Sequence, residues 1–244
     1  MEKYVFIIGA TSDIGMAIAE KYAREGYDLL LGARKSERLL PAQSDLQIRF
    51  GIRCNLLELD LSQTATLAAA WNSLERKPGI SICVAGYMQD NDEVMRDTTA
   101  TLQTIESNFT GPVTLLNSIA LDYMKNGTGV IAGFSSVAGL RGRQSNFIYG
   151  SAKAGFIAYL SGLRNKLFHH QVHVLTVLPG FVYTKMTAHL SLPGLLTATP
   201  AQVANAVFNG IRKKKNVVYV KWFWKWIMCI IRMIPEFMFK KKKL

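Results

Sequence analysis

Tyr149 and Lys153 stand four residues apart, which on a helix sets a phenol and an ammonium on one face, one turn from each other. A cation beside a phenol favours the phenolate and draws its pKa down from about 10. Such a pair suits donation of a proton to an oxygen on which negative charge develops. Two polar side chains precede it: Ser136, just past an apolar run that ends at Phe134, and Asn108, polar within a long helical pattern.

A second constellation lies near the N-terminus. The stretch Gly9-Ala10-Thr11-Ser12-Asp13-Ile14-Gly15 follows an apolar run and opens an amphipathic helix. Gly9 permits a tight turn, Thr11 and Ser12 offer hydroxyls and backbone N–H groups at the helix start, and Gly15 lets the helix approach the strand, as a phosphate-binding turn requires. Asp13 brings a carboxylate close to that place; helix capping, with the side chain turned from the phosphates, is its expected role. Farther on, Ala33 occupies the position where a carboxylate would accept from a ribose 2′-hydroxyl, and Arg34 follows. A guanidinium there pairs with a 2′-phosphate, so NADPH is expected in preference to NADH.

The elements that must position these residues alternate along the chain. Strands are expected at 4–8, 28–32, 54–59, 80–85, 128–134, 173–178 and 217–220, and helices near 14–25, 64–76, 100–126, 148–168 and 200–212. Most of the strand runs are wholly apolar, as strands covered on both faces should be. Alternation of this kind predicts an α/β, doubly wound, three-layer fold of the Rossmann type, with a parallel sheet of about seven strands and ligands at its carboxyl ends. Residues 1–220 form the expected domain and 221–244 a basic, aromatic tail.

With 49% apolar and 19% charged residues in 244, the chain can bury a full core, and disorder is excluded as its main state. The formal charge of +12 is concentrated: residues 212–244 hold eleven of the 29 Lys/Arg and one of the 17 acids. The body is nearly neutral and lacks a basic face, which excludes a nucleic-acid partner. Cys54, Cys83 and Cys229 fit neither a disulfide framework nor a zinc cluster, and the four histidines share no ligand spacing, so no metal is expected. The N-terminus carries no apolar run of signal-peptide length, and a reducing, cytoplasmic setting is expected.

Asn108, Ser136, Tyr149 and Lys153, in that order, resemble the Asn-Ser-Tyr-Lys tetrad of the short-chain dehydrogenases/reductases. The first turn is similar to that family's T-G-x-x-x-G-x-G, with Asp13 where glycine is usual. Asp60-Leu61, Ala85-Gly86 and Pro179-Gly180 with Thr184 match further motifs over about residues 4–220; Cys83-Val84 replaces the usual Asn-Asn pair, and Cys83 reads as a small core residue. The resemblance implies hydride transfer to a ketone, with Tyr149 as proton donor, Ser136 on the substrate carbonyl, Lys153 on the phenol and the nicotinamide ribose, and Asn108 holding a relay water. It implies cofactor contacts from Gly9, Thr11, Ser12, Asp13, Ile14, Gly15, Arg34, Asp60, Leu61, Ala85, Gly86, Tyr149, Lys153, Pro179, Gly180, Val182 and Thr184, no metal, and a homodimer or homotetramer.

The segment 185–199 is the expected substrate lid. Its Leu190, Leu192, Leu195 and Leu196 either face an apolar substrate or pack on the body. In the tail, Lys221, Lys225 and Arg232 form one cationic stripe on an otherwise apolar helix, and its longest uncharged run, 226–231, is too short to span a bilayer. A helix lying in the membrane interface, with Lys240 to Lys243 on anionic lipid, is expected at the inner face of a membrane. A subunit contact and a tail tucked onto the body are the alternatives. The substrate expected is a hydrophobic or lipid-linked ketone, either a 3-keto acyl or sphingoid chain or a keto-sugar; the first turn and the C-terminus together resemble reductases of polyprenyl-phosphate keto-pentoses. A reductase of small soluble ketones and a non-catalytic, cofactor-binding membrane scaffold are the other readings.

Overall fold

The computed structural model describes residues 2–188 and 192–242. Its main sheet is built from β1 (Tyr4–Ile8), β2 (Asp28–Ala33), β3 (Cys54–Glu58), β4 (Ile80–Cys83), β5 (Gly129–Phe134) and β6 (Val172–Pro179), completed by a strand late in the chain. Two short strands, β7 (Phe181–Val182) and β8 (Thr197–Ala198), pair with each other before that last strand, β9 (Val217–Val220). The sheet is parallel throughout, in the order β3-β2-β1-β4-β5-β6-β9. Strand order reverses between β1 and β4, so the crevice that such folds use for ligands opens at their carboxyl ends.

Helices α1 (Asp13–Arg24), α2 (Leu40–Phe50), α3 (Thr64–Asn72), α4 (Asn91–Arg96), α5 (Thr98–Ile105), α6 (Gly111–Asn126), α7 (Phe147–Leu167), α8 (Pro200–Arg212), α9 (Trp224–Met233) and α10 (Glu236–Phe239) complete the chain. Alternate residues of β1 enter opposite cores. Val5 and Ile7 pack with residues of α1, α2 and α8, while Phe6 and Ile8 pack with those of α3, α6 and α7. With both faces covered, β1 and β5 are buried along their whole length, while β3 at the sheet edge keeps Asn55 and Glu58 exposed.

Two expectations change. The long helix near 100–126 is interrupted: residues 106–110 form a π-helical turn between α5 and α6, with Asn108 fully buried inside it. Secondly, the tail helix begins only at Trp224, so Lys221 lies before it and cannot share its stripe with Lys225 and Arg232. Trp224 and Met228 are buried against Val137 and Leu178, while Trp226, Ile230 and Met233, at helical spacing, remain exposed. Among the described residues no helix is long and apolar enough to cross a membrane. Cys54, Cys83 and Cys229 are free thiols.

Candidate active site

The first turn forms as its residues require. Gly9 takes φ +88°, and a Cβ on Gly15 would lie 2.5 Å from the Gly9 carbonyl oxygen. Ser12 caps α1: its hydroxyl accepts from the Gly15 N–H at 3.0 Å and donates to the Gly9 carbonyl at 2.9 Å. Asp13 is therefore not the cap. Its carboxylate instead reaches the segment after β7 and accepts from the Lys185 backbone N–H at 2.7 Å.

Beyond this turn runs a cleft of about 1070 Å³. Gly9, Thr11, Ser12, Asp13, Arg34, Asp60, Leu61, Ala85 and Gly86 line it, together with Lys35, Arg38 and Glu58, which sequence reasoning missed. Its three carboxylates are all engaged within the chain. Asp13 holds Lys185, Asp60 accepts from the Ser62 N–H and hydroxyl, and Glu58 accepts from the N–H groups of Lys35 and Ser36 at 2.8 and 2.7 Å. Those two N–H groups hold the Glu58 carboxyl below the usual carboxylate range. Arg34, Lys35 and Arg38 stand exposed along the same wall. The cleft thus offers cations and a helix N-terminus to a polyanion, and its glycine turn leaves room for a pyrophosphate.

Ile14, Gly15, Pro179, Gly180, Val182 and Thr184 do not line this cleft. Thr184 meets the Thr187 side chain, and Gly180 is covered: a Cβ there would fall 2.0 Å from the Trp224 indole. The same indole donates to the Leu196 carbonyl at 3.1 Å, and Lys221 donates to that of Leu195 at 2.8 Å. Leu195 is exposed and Leu196 packs beside Trp224. The lid segment is thereby joined to the tail, a link that no local sequence signal carries; Leu190, like Lys243 in the tail, lies outside the described residues.

The tetrad gathers where the cleft ends at Gly86. A Cβ on Gly86 would lie 3.3 Å from Asn108 Oδ1 and 3.5 Å from Lys153 Nζ. Asn108 braces the neighbouring loop, its amide nitrogen donating to the carbonyls of Tyr87 and Thr104 and its oxygen accepting from the Tyr87 N–H. One lone pair on Oδ1 is not used by these bonds. Lys153 is buried, donates to the Phe134 carbonyl at 3.0 Å and the Ala85 carbonyl at 3.4 Å, and lies 5.7 Å from the centre of the Tyr149 ring. Ser136 accepts from the Ala138 N–H at 3.1 Å, which leaves its hydroxyl hydrogen free to be donated.

Burial dominates the acid–base character here. It pushes the Tyr149 phenol up to about 12, with the Ser136 hydrogen bond pulling the other way. It also brings Lys153 down to about 8. Burial thus leaves the phenol above, and the lysine below, their usual values. Cys83 is a core residue, as its apolar strand suggested, its thiol pushed by burial up to about 11.

Residues 3–193 match the family model described as short chain dehydrogenase. The chain belongs to the short-chain dehydrogenase/reductase family. An uncharacterized oxidoreductase of Mycobacterium tuberculosis is 31% identical to this chain over 240 residues, covering 97% of it and 96% of the relative. A 3-oxoacyl-[acyl-carrier-protein] reductase of Aquifex aeolicus is 28% identical, over 84% of this chain and 88% of its own. Among solved structures, a short-chain dehydrogenase from Sphingobium yanoikuyae in complex with NADPH superposes with a TM-score of 0.82 at 26% identity, covering 96% of each chain. Membership makes this short-chain dehydrogenase/reductase an oxidoreductase.

Proposed function

We propose that this oxidoreductase uses NADPH to reduce a ketone carried by a hydrophobic or lipid-linked molecule at a membrane surface. The observation that carries the reductase reading is the Tyr149 phenol with Ser136 and Lys153 around it, at the end of a cleft whose wall carries Arg34, Lys35 and Arg38. When bound, NADPH supplies the hydride. As the carbonyl oxygen gains charge, the Ser136 hydroxyl donates a hydrogen bond to it and the Tyr149 phenol transfers its proton. Lys153 steadies the phenolate left behind, and Asn108 fixes the Ala85–Tyr87 loop against which the reactants lie.

The choice of NADPH rests on Arg34 and Arg38, which face the cleft where Ala33 leaves no carboxylate for a 2′-hydroxyl. Fluorescence titration checks it: NADPH binds more tightly than NADH, and Arg34→Ala weakens NADPH by roughly tenfold or more while sparing NADH, as loss of a charge-assisted pair requires. Equal affinities in the wild type would overturn the preference.

The membrane reading rests on the outer face of α9. Trp226, Ile230 and Met233 form an exposed apolar stripe, Lys225 and Arg232 flank it, and Trp222, Phe237 and Lys240 to Lys242 extend it. A bulky apolar face edged by cations matches anionic lipid. Removing the whole tail would uncover the bed of Trp224, so the informative variant is Trp226→Ser with Ile230→Ser and Met233→Ser. It should lose co-sedimentation with phosphatidylglycerol vesicles and keep NADPH affinity; equal co-sedimentation would sink the membrane reading.

A further inference from the structure

Asp13 holds a segment that comes from the far side of the sheet. Between β1, whose turn carries Asp13, and β6, which leads towards Lys185, the sheet interposes β4 and β5. Three strand spacings amount to about 14 Å, and the five residues from Gly180 to Lys185 span at most about 18 Å. The Gly180 N–H still donates to the Val220 carbonyl at 2.9 Å, so from there the chain runs back over the carboxyl ends of β5 and β4, which lead into Ser136 and Gly86. Asp13 and Lys185 both line the nucleotide cleft. The root of this crossing is fixed: β7 pairs with β8, the Tyr183 N–H donates to the Ala198 carbonyl at 3.0 Å, and Trp224 and Lys221 hold the residues just before β8.

The far end is a short helical turn, Lys185–Thr187, closed on itself. The Thr187 hydroxyl donates to the Val182 carbonyl at 2.6 Å and the Thr187 N–H to the Thr184 carbonyl at 3.0 Å, which ties residues 182–187 into one unit. Lys185 opens that turn, and the first N–H groups of a helical turn have no acceptor within it. Among the described residues, the bond from the Lys185 N–H to Asp13 at 2.7 Å is the one hydrogen bond that joins residues 184–187 to anything outside 182–187. Its carboxylate acceptor makes it charge-assisted. We propose that Asp13 is the catch of a strap, residues 181–187, laid over the reacting end of the cleft, and that the nucleotide enters and leaves when this bond opens. Asp13 is then a positioning residue. A gate that is closed in the free and the loaded protein alike slows entry and exit by the same factor and leaves affinity unchanged. The inference rests on the nucleotide reading of the cleft and adds its control.

Stopped-flow fluorescence of the full-length protein gives NADPH association directly and its dissociation on a chase with excess NADP. Asp13→Ala and Asp13→Asn both remove the carboxylate charge beside the phosphate turn, but asparagine keeps an oxygen for the Lys185 N–H, so the two variants differ by the bond itself. Association and dissociation should both be faster in Asp13→Ala than in Asp13→Asn by on the order of tenfold, the scale of one hydrogen bond, with Kd equal within about twofold. Equal rate constants in the two variants would overturn the catch. Faster dissociation with unchanged association would overturn it too, since that marks a contact to the nucleotide and not a gate. Trypsin reads the same bond without cofactor. Lys185 and Met186 are exposed, and cleavage between them, followed by mass spectrometry, should be several-fold faster in Asp13→Ala than in Asp13→Asn; equal cleavage would also overturn the catch. If the wild type binds no NADPH, faster cleavage in Asp13→Ala keeps the catch and fails the nucleotide reading.

Discussion

At the β1–β3 end of the carboxyl edge, each carboxylate that lines the cleft already has a donor within the chain: Lys185 for Asp13, Ser62 for Asp60, Lys35 and Ser36 for Glu58. Around Tyr149 and the loop after Ser136, Asn91 Nδ2, Asn146 Oδ1 and Arg143 Nε are buried without partners, and Tyr149 and Lys153 are displaced from their usual pKa values by burial. The nucleotide half pairs its cleft carboxylates within the chain and leaves Arg34, Lys35 and Arg38 exposed to a ligand, while the other half keeps these buried polar atoms unpaired. A polyanion of fixed shape allows such a prebuilt cradle.

The tail sharpens this contrast, because it braces the unfinished half. Trp224 fills the space that Gly180 leaves open and holds Leu196, and Arg141, in the loop after Ser136, donates to the carbonyls of Ile231 and Ile234 and to Glu236. Trp224→Ala should therefore cost about 3–5 kcal/mol in chemical denaturation, the range for a buried tryptophan. A loss under about 1 kcal/mol, within the range of surface changes, would mean that the tail is an appendage and not part of the substrate half.

A smaller effect separates the halves by pH. Lys153 titrates at about 8 in the folded chain, below its value near 10.4 when unfolded. Between those values the unfolded chain binds the extra proton, so this group's contribution to stability rises with pH from about 8 to 10.4 and is least favourable below 8. For reduction the protonated pair is the active form, and kcat/KM should be level below pH 8 and fall above it. NADPH affinity, set by arginines at the other end, should stay flat through that window; a parallel fall in both would break the separation.

Much of this arrangement was legible in the sequence because it is local. The seven long strands, the Gly9–Gly15 turn and the Tyr149–Lys153 spacing each lie within a few residues, where periodicity and side-chain type speak directly. Helix α2 escaped notice because it buries only Leu46 and so shows little apolar period. Arg38 followed from it, being placed in the cleft by the short turn before α2. The π turn around Asn108 has no local signal, and Asp13 was read as a cap because its partner, Lys185, lies 172 residues away. Asn91 and Asn146 are likewise joined only by the packing of α4 against α7.

The central claim, that Tyr149 is the acid of an NADPH-dependent ketone reductase, is tested most directly by steady-state reduction of a hydrophobic ketone such as 2-decanone with Tyr149→Phe, beside NADPH titration of the same variant. The account predicts a loss of about 10²- to 10⁴-fold in kcat with NADPH affinity nearly unchanged. Undiminished turnover in the phenylalanine variant would contradict it.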